Sequence, residues 1–145
     1  MKKFLAALTM AGMLTYCGMA FASPNSDLLA KEEKASVTVV EAFAGNGEYN
    51  SVAKYFTSER KKATNSLAFR KTRAEINKSF GKLKGFKLVA LEKFKNNDRL
   101  TYLASYTKAP IVKVVMLFKI DGKDAKLVNY WFTQIKQQAK AQNMK

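Results

Sequence analysis

The fold is decided by residues 86–133, FKLVALEKFKNNDRLTYLASYTKAPIVKVVMLFKIDGKDAKLVNYWFT, which have the pattern of four β-strands joined by short polar turns. Residues 99–108 alternate apolar and polar side chains with the period of two that is typical of a half-buried strand. Residues 111–120 repeat this alternation with larger apolar side chains and form the strongest of the patterns. Because the connections are short, the stretch predicts an antiparallel meander.

The segments between these strands contain residues that favour a reversal of the chain. The sequence Asn-Asn-Asp at 96–98 follows the first strand, 86–95, and Asn tolerates a positive φ. The Ala-Pro pair at 109–110 interrupts the next connection, because Pro cannot donate a hydrogen bond to a ladder. The sequence Asp-Gly-Lys-Asp at 121–124 precedes the last strand, 126–133. All the aspartates in these segments are therefore assigned to turns.

The segment before the sheet is predicted to form helices that cover one face of it. Apolar side chains with a period near 3.6 predict three helices, over residues 28–44, 49–56 and 67–83. The basic residues 57–65 fit either an exposed helix or a loop. The inward-facing residues of the first and third helices are predicted to be Leu29, Ser36, Val40, Phe43, Phe69, Ile76, Phe80 and Leu83. This assignment leaves Glu32 on a polar helix face.

Residues 1–22 have the organisation of a bacterial secretory signal peptide. Two lysines precede an apolar run, and the Ala-Phe-Ala segment at 20–22 fits the small-x-small pattern before a cleavage site. Cleavage after Ala22 would give a periplasmic or secreted chain with no transmembrane segment. Two alternatives stay open: lipid attachment at Cys17, because residues 14–17 resemble a lipobox, and an uncleaved anchor, although the apolar run is short for one.

The mature chain is predicted to be one α+β domain over residues 23–133 with a polar basic tail over 134–145. The full sequence has 26 Lys and Arg against 11 Asp and Glu, a net charge of +15, and loss of the two signal lysines leaves 24 against 11, or +13. There is no histidine, and the one cysteine, Cys17, lies in the signal. We therefore expect no disulfide, no thiolate nucleophile, no metal and no cofactor.

Several turn and core residues carry a resemblance to a known superfamily. They are Gly47-Glu48-Tyr49, the sequence FGKLKG at 80–85, Asp121-Gly122 and the sequence NYWF at 129–132. Together with the order of elements over residues 27–133, they make the chain similar to the nuclear-transport-factor-like superfamily, which includes ketosteroid isomerase. The closest resemblance is to its small exported bacterial domains without an assigned function. This resemblance implies a cystatin-like, cone-shaped fold in which a strongly curved sheet wraps the helices, often with a ligand or active site at the mouth.

Glu92 is the one carboxylate that the pattern places within a strand, and it is therefore the candidate catalytic base. By parity it lies beside Phe86 and Leu88 on an apolar face. Isomerases that resemble this fold use such a base with a tyrosine to hold an oxyanion, and Tyr102 or Tyr130 would be that partner. The structural alternative is that Glu92 lies at the sheet rim or pairs with a lysine such as Lys93 or Lys113.

A dense basic band precedes the sheet and is the candidate anion-binding surface. Its residues are Arg60, Lys61, Lys62, Arg70, Lys71 and Arg73. A charge of this size attracts anionic lipid headgroups, lipopolysaccharide or nucleic acid without sequence specificity. Few aromatic side chains alternate with these basic ones, so nucleic acid is not expected as the partner. The alternative is a solvated helix face that keeps the chain soluble.

The large sheet residues are the candidate ligand-binding set, because they are too many to fit under three short helices. They are Tyr102, Tyr106, Met116, Tyr130 and Trp131. A second sheet face with Leu103, Val115 and Leu117 would then be exposed, and such a face usually marks an interface. The partner hypotheses are a homodimer through this face or a small apolar ligand on it. The alternative is that the C-terminal tail shields these residues or that they are singly exposed.

The leading functional hypothesis is an exported non-catalytic binding or accessory domain that uses a cone pocket or an exposed sheet face. The first alternative is a cofactor-free enzyme, an isomerase or a hydrolase, with Glu92 as its base. The second is a cationic domain that associates with anionic surfaces of the cell envelope. The residues do not name a ligand.

Overall fold

The computed structural model describes residues 24–136, so the predicted signal peptide and most of the basic tail lie outside the described residues. Within that range, helices precede one four-stranded sheet in which each strand pairs antiparallel with the next. The elements are α1 (Pro24–Phe43), α2 (Tyr49–Ala53), α3 (Ser58–Ala63), α4 (Ser66–Phe80), β1 (Leu83–Lys93), β2 (Asn97–Tyr106), β3 (Val112–Asp121) and β4 (Asp124–Gln134). The predicted α+β class and antiparallel meander are confirmed. None of these helices is long and apolar enough to cross a membrane.

The basic stretch left open above forms helix α3, so the described residues contain four helices rather than three. Thr57 caps α3, because its Oγ1 accepts a hydrogen bond from the backbone N–H of Arg60 at 3.2 Å. Asn65 caps α4 in the same way, with its Oδ1 2.8 Å from the backbone nitrogen of Ala68. These two caps therefore begin two separate helices. The sequence pattern left α3 open because residues 57–65 have no apolar stripe.

Helix α4 ends at Phe80 because the next residue, Gly81, has a φ of +81°. That conformation favours glycine. A Cβ atom at Gly81 would also lie only 2.1 Å from Oγ1 of Thr107, so the backbone approaches the sheet too closely for any side chain. Leu83, expected as the last inward residue of the helix, therefore begins β1 instead.

Each edge strand of the sheet contains a β-bulge that reverses which face its side chains occupy. In β1, Leu88 pairs with Tyr102 but Ala90 pairs with the adjacent Thr101, so Val89 is the extra residue. In β4, Asn129 pairs with Leu117 but Leu127 pairs with the adjacent Phe118, so Val128 is the extra residue. One inserted residue moves every later side chain to the other face.

The core lies between the helices and one face of the sheet. Phe43 of α1 is its centre, with ring centroids 4.7 Å from Phe69 of α4, 5.2 Å from Tyr130 and 5.5 Å from Phe132 of β4. The predicted inward residues Phe69, Ile76 and Phe80 are confirmed as buried. These aromatic contacts tie both long helices to the last strand.

Three of the five large sheet residues fit beneath the helices, whereas Trp131 does not. Tyr102, Tyr106 and Met116 are buried, with at most 3% of each exposed. Pairing of Leu100 with Met116, and of Met116 with Tyr130, places these side chains on one face. Four helices rather than three, and the long α1, provide the cover that the sequence reading lacked.

The inward face of α1 is confirmed at Ser36, Val40 and Phe43, which are buried, but it differs from the prediction elsewhere. Its buried positions include Leu28, Glu32, Ala35 and Val39, whereas Leu29 is only half-buried. These positions are spaced four, three and four residues apart, which is a regular helical stripe. Glu32 lies in the middle of this stripe, fully buried, and not on a polar face.

Candidate functional site

The two faces of the sheet differ in cover. The face toward the helices carries the buried side chains of β2 and β3, while the opposite face carries half-buried and exposed ones. Four apolar residues lie together on this opposite face and are called here the open-face patch: Leu103, Val115, Leu117 and Trp131. Val115 pairs directly with Trp131, and Trp131 is 45% exposed. A large side chain left this accessible on a flat face is available to a partner.

Exposed lysines surround the open-face patch. This lysine rim consists of Lys87 in β1 and Lys113 and Lys119 in β3. Leu103 pairs with Lys87 on one side and Lys113 on the other, so it lies between two ammonium groups. Neither Lys87 nor Lys113 forms an ion pair with a carboxylate of residues 24–136. The face therefore combines an apolar centre with a positive periphery.

A cleft of about 330 Å³ opens on the same face where β1 and β2 meet the loop before β3. Its lining residues are Gly85, Phe86, Lys87, Leu103, Ala104, Ser105, Pro110 and Ile111. Gly85 contributes to the shape of the cleft because it has no side chain. A Cβ atom at this position would meet no other atom within 4 Å, so the space next to it is open. The cleft is thus largely apolar, with one charged side chain, Lys87, in its wall.

Glu92 lies on the open face and not in an apolar pocket. The bulge at Val89 is the reason, since it moves Glu92 to the face opposite that of Leu88. Its side chain is 45% exposed and accepts hydrogen bonds from both Nε (3.2 Å) and Nη2 of Arg99. These bonds lower the pKa of Glu92. The structure brings it together with Arg99, and not with Tyr102, which faces the helices.

The carboxyl groups enclosed in the protein are two that the sequence reading assigned elsewhere. Glu32 of α1 is fully buried, and Asp98, which was expected in a turn, is 3% exposed near the start of β2. Asp98 accepts a hydrogen bond from Nζ of Lys93 at 2.8 Å. Burial, and after it the charge of Asp98, raises the pKa of Glu32 from 4.5 to about 8. The regular apolar spacing around Glu32 was the signal that could have revealed it.

Neither Glu32 nor Asp98 lines the clefts described here on the surface of residues 24–136. Ionised Glu32 has no hydrogen-bond donor for either oxygen among the described residues. Once protonated, as the raised pKa requires at neutral pH, its hydroxyl is itself a donor toward Asp98. Among residues 24–136 there is also no group of three or more potential ligands arranged to hold a metal ion.

The candidate ligand-binding residues separate into two groups. Tyr102 and Tyr106 are core residues whose hydroxyls have no hydrogen-bond partner within the described chain, and burial raises the pKa of Tyr106 to about 12. Met116 is likewise enclosed. Tyr130 and Trp131 alone come together at a cleft, of about 360 Å³, between α4 and β4. Only Trp131 of the five projects from the open face.

The residues of the basic band also fall into two groups. Its two half-buried arginines, Arg60 and Arg73, form contacts within the domain. Arg60 donates from Nε to the carbonyl of Val128 at 2.8 Å and from Nη2 to Oδ1 of Asn129, and lies 5.4 Å from the ring centre of Tyr130. Arg73 donates to the carbonyl of Gly47 at 2.8 Å. The exposed members, free to meet an anion, are Lys61, Lys62, Arg70 and Lys71.

Comparison with known proteins adds no identification: no family model, no curated protein and no solved structure matches this chain. The fold and the open face therefore define it only as a small α+β domain with one uncovered sheet face. Its function has to be argued from that face.

Proposed function

We propose that this chain is an exported, non-catalytic binding or accessory domain, and that the open-face patch with its lysine rim is its binding surface. The observation that carries the proposal is the exposure of Trp131 beside Val115 on a sheet face that bears no buried row of side chains. Burying apolar surface of this kind gains about 25 cal/mol per Å². A partner that covers the patch gains that energy without any change in the core.

The positive charge of the lysine rim affects which partner can bind the open-face patch. A second copy of the chain would bring Lys113 and Lys119 of one sheet close to the basic side chains of another, and like charges held together oppose association. A homodimer through this face is therefore the less favoured form of the proposal. Light scattering at micromolar concentration measures it directly: twice the monomer mass would support the dimer, and a persistent monomer would exclude it.

The resemblance to the nuclear-transport-factor-like superfamily remains part of the proposal, as do the curvature of the sheet and export. The order of helices before an antiparallel meander is consistent with it, and bulges in both edge strands supply the bending that a cone-shaped sheet needs. The interior, however, is filled by aromatic rings around Phe43. The exposed sheet face is therefore favoured over a cone pocket as the place of binding.

Trp131 is the only tryptophan of the chain, so the intrinsic tryptophan fluorescence of the protein reports on the surroundings of this one side chain. Acrylamide quenching of the purified protein is measured before and after addition of the lipid and the soluble protein fractions of a bacterial envelope. We expect one fraction to protect Trp131 in the unaltered chain and not in Leu117→Lys, which places a charge within the patch. Leu67→Lys is the matched control, because Leu67 is 55% exposed on α4, away from the patch. Quenching unchanged by every fraction would remove the proposal.

A cationic domain for anionic envelope surfaces is the second candidate function. The exposed and unpaired side chains of Lys61, Lys62 and Lys71 favour it. Binding to vesicles that contain anionic lipid should weaken steeply between low and physiological salt, because screening acts on exposed charges. Replacing the three lysines with glutamate should abolish it. Binding that ignores salt, or is absent, excludes this candidate.

The cofactor-free enzyme with Glu92 as its base has the weakest support. An exposed carboxylate that is hydrogen-bonded to Arg99 lacks the apolar surroundings that would raise its pKa toward neutral, as a general base needs.

A further inference from the structure

The cleft beside Gly85 is a shallow, widely open depression in the open face. Phe86 and Ala104 line it although their side chains belong to the helix side, so the floor is the backbone of β1 and β2. Leu103, Pro110 and Ile111 provide apolar walls. A volume of about 330 Å³ is at the lower end of what small-molecule sites enclose, so the occupant is a small ligand or one chain of a larger one.

Gly85 creates the recess. It pairs with Ser105 within β1, its φ is not in the left-handed region, and a Cβ atom there would meet nothing within 4 Å. Neither a left-handed φ nor close packing therefore requires glycine at this position, which follows a register shift between Leu83 and Gly85. Within a strand glycine costs about 0.5–1 kcal/mol relative to alanine. The missing side chain leaves open space on the surface where most residues would fill it.

The charges around the recess have one sign. Lys87 is in the wall of the cleft. Lys113 lies on the other side of Leu103, because Leu103 pairs with Lys87 in β1 and with Lys113 in β3. No carboxylate lines the cleft, and neither ammonium is paired with one in the part of the chain that the structure describes. An anionic group held between the two lysines would gain two favourable charge contacts, while a cationic ligand would be repelled.

We propose that this cleft binds a single-chain amphiphile with a carboxylate head, such as a fatty acid, with the hydrocarbon against Leu103 and Ile111 and the carboxylate at Lys87 and Lys113. The inference rests on the proposed use of the open face and names its ligand class. An apolar recess closed by cations fits a molecule with one apolar and one anionic end. A peptide that added a strand would pair along the free edge of β1, and not over the face of β1 and β2 that forms the floor of the cleft.

Dodecanoate is the probe, compared with dodecanol, which lacks the charge, and with butanoate, which lacks most of the chain. Titrations of the purified protein are followed by calorimetry or by amide NMR shifts, at concentrations where no micelles form. We expect saturable binding of dodecanoate, about tenfold weaker binding of dodecanol and none of butanoate. Equal binding of dodecanoate and dodecanol would overturn the assignment of the lysines to the head group.

Gly85→Leu tests the site itself, because it fills the recess and is sterically tolerated. We expect its affinity for dodecanoate to fall by about tenfold or more, while circular dichroism and the unfolding midpoint stay close to those of the unaltered chain. Ala74→Leu adds an apolar side chain at an exposed position of α4, outside the cleft, and should leave binding unchanged. Lys87→Gln with Lys113→Gln should abolish the preference for dodecanoate over dodecanol, and Lys61→Gln with Lys62→Gln should preserve it.

The failure of this inference is distinguishable from failure of the proposed function. If dodecanoate does not bind, or binds equally well to Gly85→Leu, the ligand assignment is wrong. The proposed function then still stands or falls on protection of Trp131 by an envelope fraction. If binding is lost in Leu117→Lys but kept in Gly85→Leu, the open face binds the amphiphile on the patch and the cleft does not.

Discussion

The two faces of the sheet are built from the same four strands, yet they have opposite chemistry. The covered face holds Phe43, Tyr130 and Phe132 in ring contact and encloses Glu32 with Asp98. The open face keeps Trp131 accessible and arranges lysines around it. The comparison teaches that surroundings, not residue type, set the chemistry of a glutamate: burial raises the pKa of Glu32 on the covered face, whereas hydrogen bonds from Arg99 lower the pKa of Glu92 on the open face.

The largest expected effect is the loss of packing on the covered face. Phe43→Ala removes the ring that joins α1, α4 and β4, and we expect a loss of about 3–5 kcal/mol in the free energy of unfolding. Urea denaturation followed by circular dichroism measures it. A loss below about 1 kcal/mol would mean that the covered face is not the core of the domain.

The second prediction concerns pH and the buried acid. In the folded chain the pKa of Glu32 is about 8 against 4.5 when unfolded, so the folded state favours the protonated form. Above pH 4.5 the unfolded chain loses this proton first, and stability therefore falls with rising pH until about pH 8, then levels off. The change is on the order of 5 kcal/mol.

Glu32→Gln removes this titration while keeping a hydrogen-bond donor toward Asp98. We expect the variant to be less sensitive than the unaltered chain between pH 5 and 8, and more stable at the upper end of that window. Glu33→Gln, one residue further along α1, is the control and should leave the pH dependence in place. Parallel stability curves for Glu32→Gln and the unaltered chain would contradict the prediction.

The third prediction separates the arginines of the basic band from its lysines. Arg60→Ala removes hydrogen bonds to Val128 and Asn129 and the contact with Tyr130, and should cost about 1–3 kcal/mol. Lys61→Ala, at the neighbouring exposed position, should stay within about 0.5 kcal/mol. Thermal unfolding of the two variants side by side is the measurement. Equal losses would show that Arg60 is no more structural than its neighbour.

The smallest expected effect on stability lies on the open face. Leu117→Lys, the variant designed to disturb binding, should change the free energy of unfolding by less than about 1 kcal/mol, because its side chain is only half-buried. The same urea experiment as for Phe43→Ala measures it. A loss as large as that of Phe43→Ala would mean that the open face supports the fold rather than a partner.

Strong periodic patterns made much of this fold predictable from sequence. The alternation over β2 and β3 and the helical positions of Phe69 and Ile76 are confirmed, because neither pattern is interrupted there. Glu92 could not be placed, because the bulge at Val89 has no compositional signature and one extra residue reverses the face. The same holds for Val128 in β4.

Other features depended on tertiary contacts that a local pattern does not contain. Glu32 was readable in principle, since Leu28, Ala35 and Val39 surround it at helical spacing, but a charged residue was assumed to face water. The distinct role of Arg60 depends on β4, which lies 68 residues further along the chain at its contact with Val128. The cleft depends on the open space between Gly85 and the loop before β3, and such space cannot be predicted from residue types.

The position of the sole tryptophan has a practical consequence for anyone who denatures this protein. Trp131 is already in partial contact with water in the native state, so its emission spectrum should shift only modestly when the chain unfolds. A melting curve recorded on this fluorophore would therefore have a small amplitude. The near-ultraviolet dichroism of the enclosed tyrosines is the more faithful probe of the transition.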